Sequence, residues 1–306
     1  DSEAGCFGLR DFYIKTAYNC CATGAYRNDF VSLCALEDCI RQGTRCLDFE
    51  IYSVNDLPVI SVSASDSFNV KGSYNSIPFA DALTTIEQRA FGGNSNCPNP
   101  QDPLIIYLRI MSNNRAIYKE MADNLYSVLE NKLLGKDHSY ENHGFNLGQT
   151  PLKELMGKVI IIADKTNALF ADTPLDEYVN LATRGPFMRV MRSDQLKNVT
   201  SADELIDFNK KNMSIVLPNL GITPDNPSAS LSMAYGCQFT AMAFQNFDAN
   251  LEHYDSIFDS AGSAFQLKPE SLRYVPQYQN NPPPQDKKLS YATRYISTPY
   301  QAPLPV

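Results

Sequence analysis

Short apolar runs alternate with longer stretches in which apolar residues recur every three or four positions. The alternation holds for most of the chain. The runs have the length of buried strands. They predict strands over Phe12–Asn19, Cys46–Ser53, Pro58–Ser65, Pro103–Ile110, Lys158–Ala163, Met213–Leu217, Cys237–Phe244 and Phe265–Lys268. Asp29 is placed to cap a helix whose apolar face holds Val31, Leu33, Leu36 and Ile40. Helices are also predicted over Pro78–Phe91, Pro151–Met156, Asp203–Lys210 and Leu251–Phe258, with a long one over Arg115–Leu134 ended by Gly135. Residues 136–150 are polar and aperiodic and read as a loop. Apolar strands alternating with amphipathic helices imply a parallel sheet covered by helices. At 306 residues the pattern fits a closed α/β barrel better than an open doubly wound sheet, and no Gly-rich phosphate-binding turn follows the first strand.

The pattern changes near residue 276. Residues 276–306 hold seven of the 19 prolines, with Pro282-Pro283-Pro284 in a row, and also Tyr278, Tyr291, Tyr295 and Tyr300. Proline favours extended chain, and solvated tails are poor in aromatics. The expectation is an extended arm that docks through its tyrosines on a partner or on its own barrel.

Composition narrows the classes. The net charge of −8 argues against non-specific nucleic-acid binding and against attraction to anionic lipid. No apolar run approaches the roughly 18–20 residues of a membrane span. Eight cysteines are too few for a disulfide scaffold at this length and no paired Cys-x-x-Cys motifs occur, so they are expected to be mostly reduced and buried. Asn198-Val199-Thr200 and Asn212-Met213-Ser214 match the glycosylation triplet, which recurs by chance. The chain opens on Asp1 rather than Met, which leaves open whether a leader precedes it.

Several segments resemble the catalytic X and Y regions of phosphoinositide-specific phospholipase C. They are LRDFYIKTAYNCCATG (Leu9–Gly24), RQGTRCLDFEIYS (Arg41–Ser53), LPVISVSAS (Leu57–Ser65) and DPLIIYLRIMSN (Asp102–Asn113), then PLKELMGKVIIIADK (Pro151–Lys165), YGCQFTAMAFQNF (Tyr235–Phe247) and AFQLKPESLR (Ala264–Arg273). The resemblance implies a distorted TIM-type (β/α) barrel over residues 1–275, with an X-like half at about 9–135, the loop 136–150, a Y-like half at 151–275, and the tail 276–306 outside it. It further implies a chemistry: one histidine as general base, a second as general acid, calcium held by an asparagine and three carboxylates, and lysines and an arginine on the ring phosphates.

This sequence departs from that pattern at most of those positions. The first histidine aligns with Tyr18 and the second with Ala64. Tyrosine, with a pKa near 10, is a poor base at neutral pH, and alanine transfers no proton. The three histidines, His138, His143 and His253, fall in the loop and on the last helix. Asn19, Asp48 and Glu50 match calcium-site positions, but Arg109 stands where the third carboxylate belongs. Asp48 and Glu50 are two apart on one strand and share a face, so Arg109 is expected to pair with one of them in place of a metal. Ile162 and Asp164 take the two lysine positions with Lys165 beside them, and Ile215, after Ser214, takes the arginine position.

The expected function is therefore a catalytically inactive phospholipase C-like barrel without a cofactor. It acts as a structural or interaction module that meets other proteins of a larger assembly through its tail, with the virion of a large DNA virus as the concrete setting. Nucleic acid is not an expected partner. One alternative is an active phosphodiesterase with relocated groups, drawn from Tyr18, Ser61, Ser63 and Ser65 with Asp48 and Glu50. The other is a non-catalytic phosphoinositide or membrane binder, which the charge and the lost lysines disfavour.

Overall fold

The structure, a computed structural model, describes residues 6–92, 96–140, 145–276 and 284, and the backbone of 295–298 and 301–305. Contacts divide it into two units, Asp1–Tyr274 and Val275–Val306.

The first half of the larger unit runs β1 (Phe12–Ala17), α1 (Leu33–Arg41), β2 (Cys46–Val54), β3 (Leu57–Ser61), β4 (Ile77–Pro78), α2 (Phe79–Ala90), β5 (Leu104–Ile110) and α3 (Arg115–Leu129). The second half runs α4 (Leu152–Leu155), β6 (Val159–Ala163), β7 (Leu181–Ala182), β8 (Met188–Arg192), α5 (Ser193–Lys197), α6 (Ala202–Lys211), β9 (Met213–Leu217), α7 (Ala229–Ala234), β10 (Phe239–Met242), α8 (Ala249–Ala261) and β11 (Phe265–Leu267). Eight strands pair in the order β7-β6-β5-β2-β1-β10-β9-β8, every pair parallel, and curl into a near-closed barrel. The expected α/β barrel of TIM type is the fold of this unit. Its strands β1, β5, β6 and β9 are buried along their whole length, because one face meets the barrel interior and the other meets helices.

Three strands break the parallel rule. β3 runs antiparallel to β2, β4 to β3, and β11 to β1. The β2–β3 connection is two residues, Asn55 and Asp56, both with positive φ. Only a hairpin fits so short a link, since a parallel crossover needs a dozen residues or more. The pattern of apolar positions carries no such orientation.

Local chemistry moves several helix ends. Asp29 does not cap α1, because its carboxylate accepts from the Ala25 and Phe30 amides and closes the preceding loop. Ser32 caps α1 instead, accepting from the Cys34 amide. Helix α3 stops at Leu129, five residues short of the expected end. Residues beyond it turn so that the Lys132 carbonyl accepts from Val159 at the start of β6. Strand β8 has no counterpart among the expected strands.

In the second unit, β12 (Tyr295–Thr298) pairs antiparallel with β13 (Gln301–Pro305). The extended chain expected there folds back on itself over these residues. Pro299, between the two strands, is the residue that signals a reversal in sequence. Tyr278, Tyr291 and Tyr300 lie outside the described residues, as does His143.

Candidate functional site

In a parallel barrel the carboxyl ends of the strands converge on one mouth, where barrel chemistry sits. Strands β1, β2 and β5 are neighbours, and they bring Tyr18, Asn19, Asp48, Glu50 and Arg109 together there. Glu50 lies directly opposite Arg109 in the strand register. Asp48 is two residues back on the same face.

Arg109 joins the group. Its Nε donates to Asp48 Oδ1 at 2.7 Å and its Nη2 to Asp48 Oδ2 at 2.7 Å, the parallel fork a guanidinium makes with a carboxylate. Its Nη1 donates to Glu50 Oε1 at 2.9 Å, and Nη2 also reaches Asn19 Oδ1 at 3.0 Å. The expected ion pair is thus present, and it involves both carboxylates. Asn19 completes it, its backbone N–H donating to Asp48 Oδ2 at 2.8 Å and its side-chain amide to Glu50 Oε1 at 3.1 Å. Asn19 has φ 42°, a left-handed conformation that asparagine tolerates better than most residues. Tyr52 donates to Glu50 Oε2 at 2.8 Å. Every carboxylate oxygen of the pair is therefore engaged.

The three charged side chains are 4% exposed or less. Burial works against the guanidinium, but Asp48, Tyr18 and Glu50 more than reverse this and hold the Arg109 pKa well above its ordinary value. Burial pushes the Glu50 carboxyl up, only partly offset by Arg109, Tyr52 and Asn19.

Tyr18 lies between two guanidinia. Its ring sits under Arg109 at 4.8 Å, and its hydroxyl accepts from Arg192 Nη1 at 3.1 Å. Burial raises its pKa although both arginines pull it down. Ala64 packs half-buried against the core. Ser61 is buried with its hydroxyl 2.5 Å from that of Ser73, and Ser63 accepts from the Ser65 amide. His138 is half-buried on a turn and His253 is exposed on α8, both away from the carboxyl ends of the strands.

The other singled-out residues do not assemble into one site. Ile162 and Ile215 are core residues. Ser214 donates to Asn209 of α6 at 2.6 Å, so it faces outward from the barrel. Lys165 lies over the Tyr140 ring at 5.6 Å. Asp164 does reach the mouth. It accepts from the Tyr107 hydroxyl at 2.9 Å and from the Thr166 amide and hydroxyl, and these bonds hold its carboxyl below its usual range despite burial.

A cavity of about 70 Å³ lies in the mouth, lined among others by Arg109, Arg184, Arg192, Asp66 and Asp164. Arg192, Arg184 and Asp66 are absent from the residues that sequence reasoning selects. The signal for Arg192 was available: Met188-Arg189-Val190 alternates with a strand period, and Arg192 closes that strand at its carboxyl end. Among the described residues, no group of three or more His, Cys, Asp and Glu side chains is arranged to hold a metal ion.

Residues 8–165 match the family described as phosphatidylinositol-specific phospholipase C, X domain. The chain belongs to that family. A search of curated proteins returns no match. Among solved structures, PLC21 of L. pealei superposes with a TM-score of 0.70 at 18% identity, covering 87% of this chain and 38% of that one. PLC21 of S. officinalis gives 0.72 at 18% identity, with 88% and 38% covered. A calcium-dependent phosphoinositol-specific phospholipase C from Pseudomonas sp. gives 0.54 at 11% identity, with 87% and 97% covered. This X-domain protein therefore spans well under half the length of the two PLC21 chains, and at these identities the likeness is one of fold.

Proposed function

We propose that this chain is a catalytically inactive member of the phospholipase C X-domain family, retained as a structural or interaction module. The observation that carries the reading is Arg109. A calcium ion at Asn19, Asp48 and Glu50 would need carboxylate oxygens that are already taken by a permanent cation, so the residues present do not fit that ion. The proton-transfer positions add to this. Tyr18, its pKa raised by burial, is ionised at neutral pH even less than free tyrosine, which leaves less phenolate to accept a proton. Ala64 has nothing to transfer, and loss of a general acid or base costs on the order of 10²–10⁴-fold per group. Among the described residues, no hydrogen bond joins Ser61, Ser63 or Ser65 to a carboxylate or an imidazole, which disfavours relocated catalysis.

The partner in this reading is a protein of a larger assembly, met through residues 276–306. An isolated two-stranded hairpin is marginal in water and gains stability by packing on something else. The support for placing that assembly in a virion is architectural: a barrel followed by a proline- and tyrosine-rich segment.

The test is turnover of phosphatidylinositol and its phosphorylated forms with calcium present. No turnover is expected from the unmodified protein, and robust turnover would overturn the inactive reading.

A further inference from the structure

In the hairpin of the second unit, Tyr295 lies opposite Pro305 and Ile296 opposite Leu304, and past a shift in register Thr298 lies opposite Gln301. Along an antiparallel ladder, opposed residues alternate in kind. One pair exchanges N–H···O bonds, and the next turns its N–H and C=O groups away from the partner strand. Proline has no N–H to give. Pro305 therefore cannot belong to an exchanging pair, and Tyr295 and Pro305 turn away from each other. Ile296 and Leu304, one step on, are the exchanging pair. Thr298 and Gln301, which close the hairpin, face inward as well.

The two outer edges of the hairpin differ for this reason. β12 turns the N–H and C=O groups of Tyr295 and Ser297 outward. β13 turns out Pro305, and Pro303, next to inward-facing Leu304, falls on the same side. Proline on an edge strand blocks the addition of a further strand. Of the two edges, only that of β12 keeps its donors, and it is complementary to itself. Two copies laid antiparallel about a two-fold axis at Ile296 put Tyr295 of each opposite Ser297 of the other. Each such pair exchanges N–H···O bonds, and the axis generates the pair twice. The strand order becomes β13-β12-β12′-β13′, in which the primed strands belong to the second copy. A lone two-stranded hairpin is marginal in water, and added strands stabilise it. Both outer edges of the enlarged sheet carry proline, so growth ends at two copies. A second copy thus satisfies the outward groups of β12 in register and closes the sheet on both sides, which selects it over an unrelated strand.

We propose that the hairpin is a homodimerisation element, in which β12 of one copy pairs antiparallel with β12 of a second about a two-fold axis at Ile296. This names a partner for the tail, so it rests on the reading of the tail as a docking element. It does not depend on the barrel being inactive.

The experiment is sedimentation velocity of the full chain over about a hundredfold range of concentration. A monomer–dimer equilibrium that ends at the dimer is expected. Truncation after Tyr274 should leave a monomer throughout. Ser297→Pro removes one donor from each copy, so each exchanging pair loses a bond, and the dissociation constant should rise roughly tenfold or more. Where Ser297→Pro disrupts the hairpin itself, amide exchange in the unmodified protein decides. The Tyr295 and Ser297 amides should gain protection as concentration rises and the dimer fills. Unprotected Tyr295 and Ser297 amides in a dimeric sample overturn the pairing, as does a truncated barrel that dimerises equally well. A full chain that stays monomeric at every concentration overturns the proposal. If its co-purification with other proteins still requires residues 275–306, the tail docks on those proteins and the reading above stands without self-pairing.

Discussion

Arg109 is a permanent cation between two buried carboxylates, and its removal leaves like charges facing each other without solvent. Breaking a buried pair from one side costs about 3–5 kcal/mol, so Arg109→Met should lose about that much stability in urea unfolding at neutral pH. The loss should shrink as pH falls and Glu50, its carboxyl pushed up by burial, protonates, and Glu50→Gln in the same chain should restore part of it. A second residue gives a pH signature in a separate, alkaline window. Lys268 is 2% exposed and donates to the Asn209 carbonyl at 3.1 Å. Burial lowers its pKa to about 7, partly offset by Cys237 and Asp11. Between about pH 7 and about pH 10.5 the unfolded chain then binds a proton that the folded chain does not, so this group adds stability as pH rises through that window. Measured against Lys268→Met, the unmodified protein should gain up to about 5 kcal/mol across it. A flat difference curve would mean that the lysine is hydrated.

At the scale of elements, caps and connections decide where helices begin and what they tie together. Asp248 caps α8 by accepting from the Leu251 amide at 2.9 Å, and it also accepts from the backbone and side chain of Asn226. Asn226 in turn binds the Ala243 and Asn246 carbonyls after β10. One aspartate thus joins a helix start to two mouth loops. Ser32 does less, since its side chain bonds a single amide of α1. Cap loss costs about 0.5–2 kcal/mol. Asp248→Ala should fall at or above the upper end and Ser32→Ala near the lower, in parallel denaturant melts. Equal losses would show that the Asn226 contacts contribute nothing.

For the whole molecule, the division at residues 274 and 275 separates a barrel with its own core from a unit containing a two-stranded hairpin. A barrel with its own core should not need the second unit to fold. Truncation after Tyr274 is expected to leave the melting temperature and the denaturant midpoint nearly unchanged, while co-purification with other components of the native assembly falls sharply. If truncation unfolds the barrel, the tail belongs to the fold; if co-purification is unaffected, docking through the tail is wrong.

The sequence by itself determined the alternation of strand and helix, the barrel class and the residue types at the mouth. These depend on local periodicity and on which residue stands at a motif position. Arg109 beside Asp48 and Glu50 was legible because the resemblance aligns it with a third ligand position there, while the spacing of two on one strand gives the two carboxylates a shared face. Orientation was not legible, since β3 and β11 have the same apolar character as their parallel neighbours and only the link lengths and barrel geometry reverse them. Helix ends were not legible either, because the loop before α1 turns the Ala25 and Phe30 amides onto Asp29 and the start of β6 takes the Lys132 carbonyl. The mouth cavity was the least legible of all. Arg192 ends β8, Arg184 lies between β7 and β8 and Asp66 follows β3, and only the closing of the sheet brings them to one cavity. Burial and pKa are likewise properties of that closure: Lys268 is an ordinary lysine in the sequence and becomes a group titrating near neutrality only once the chain has folded around it.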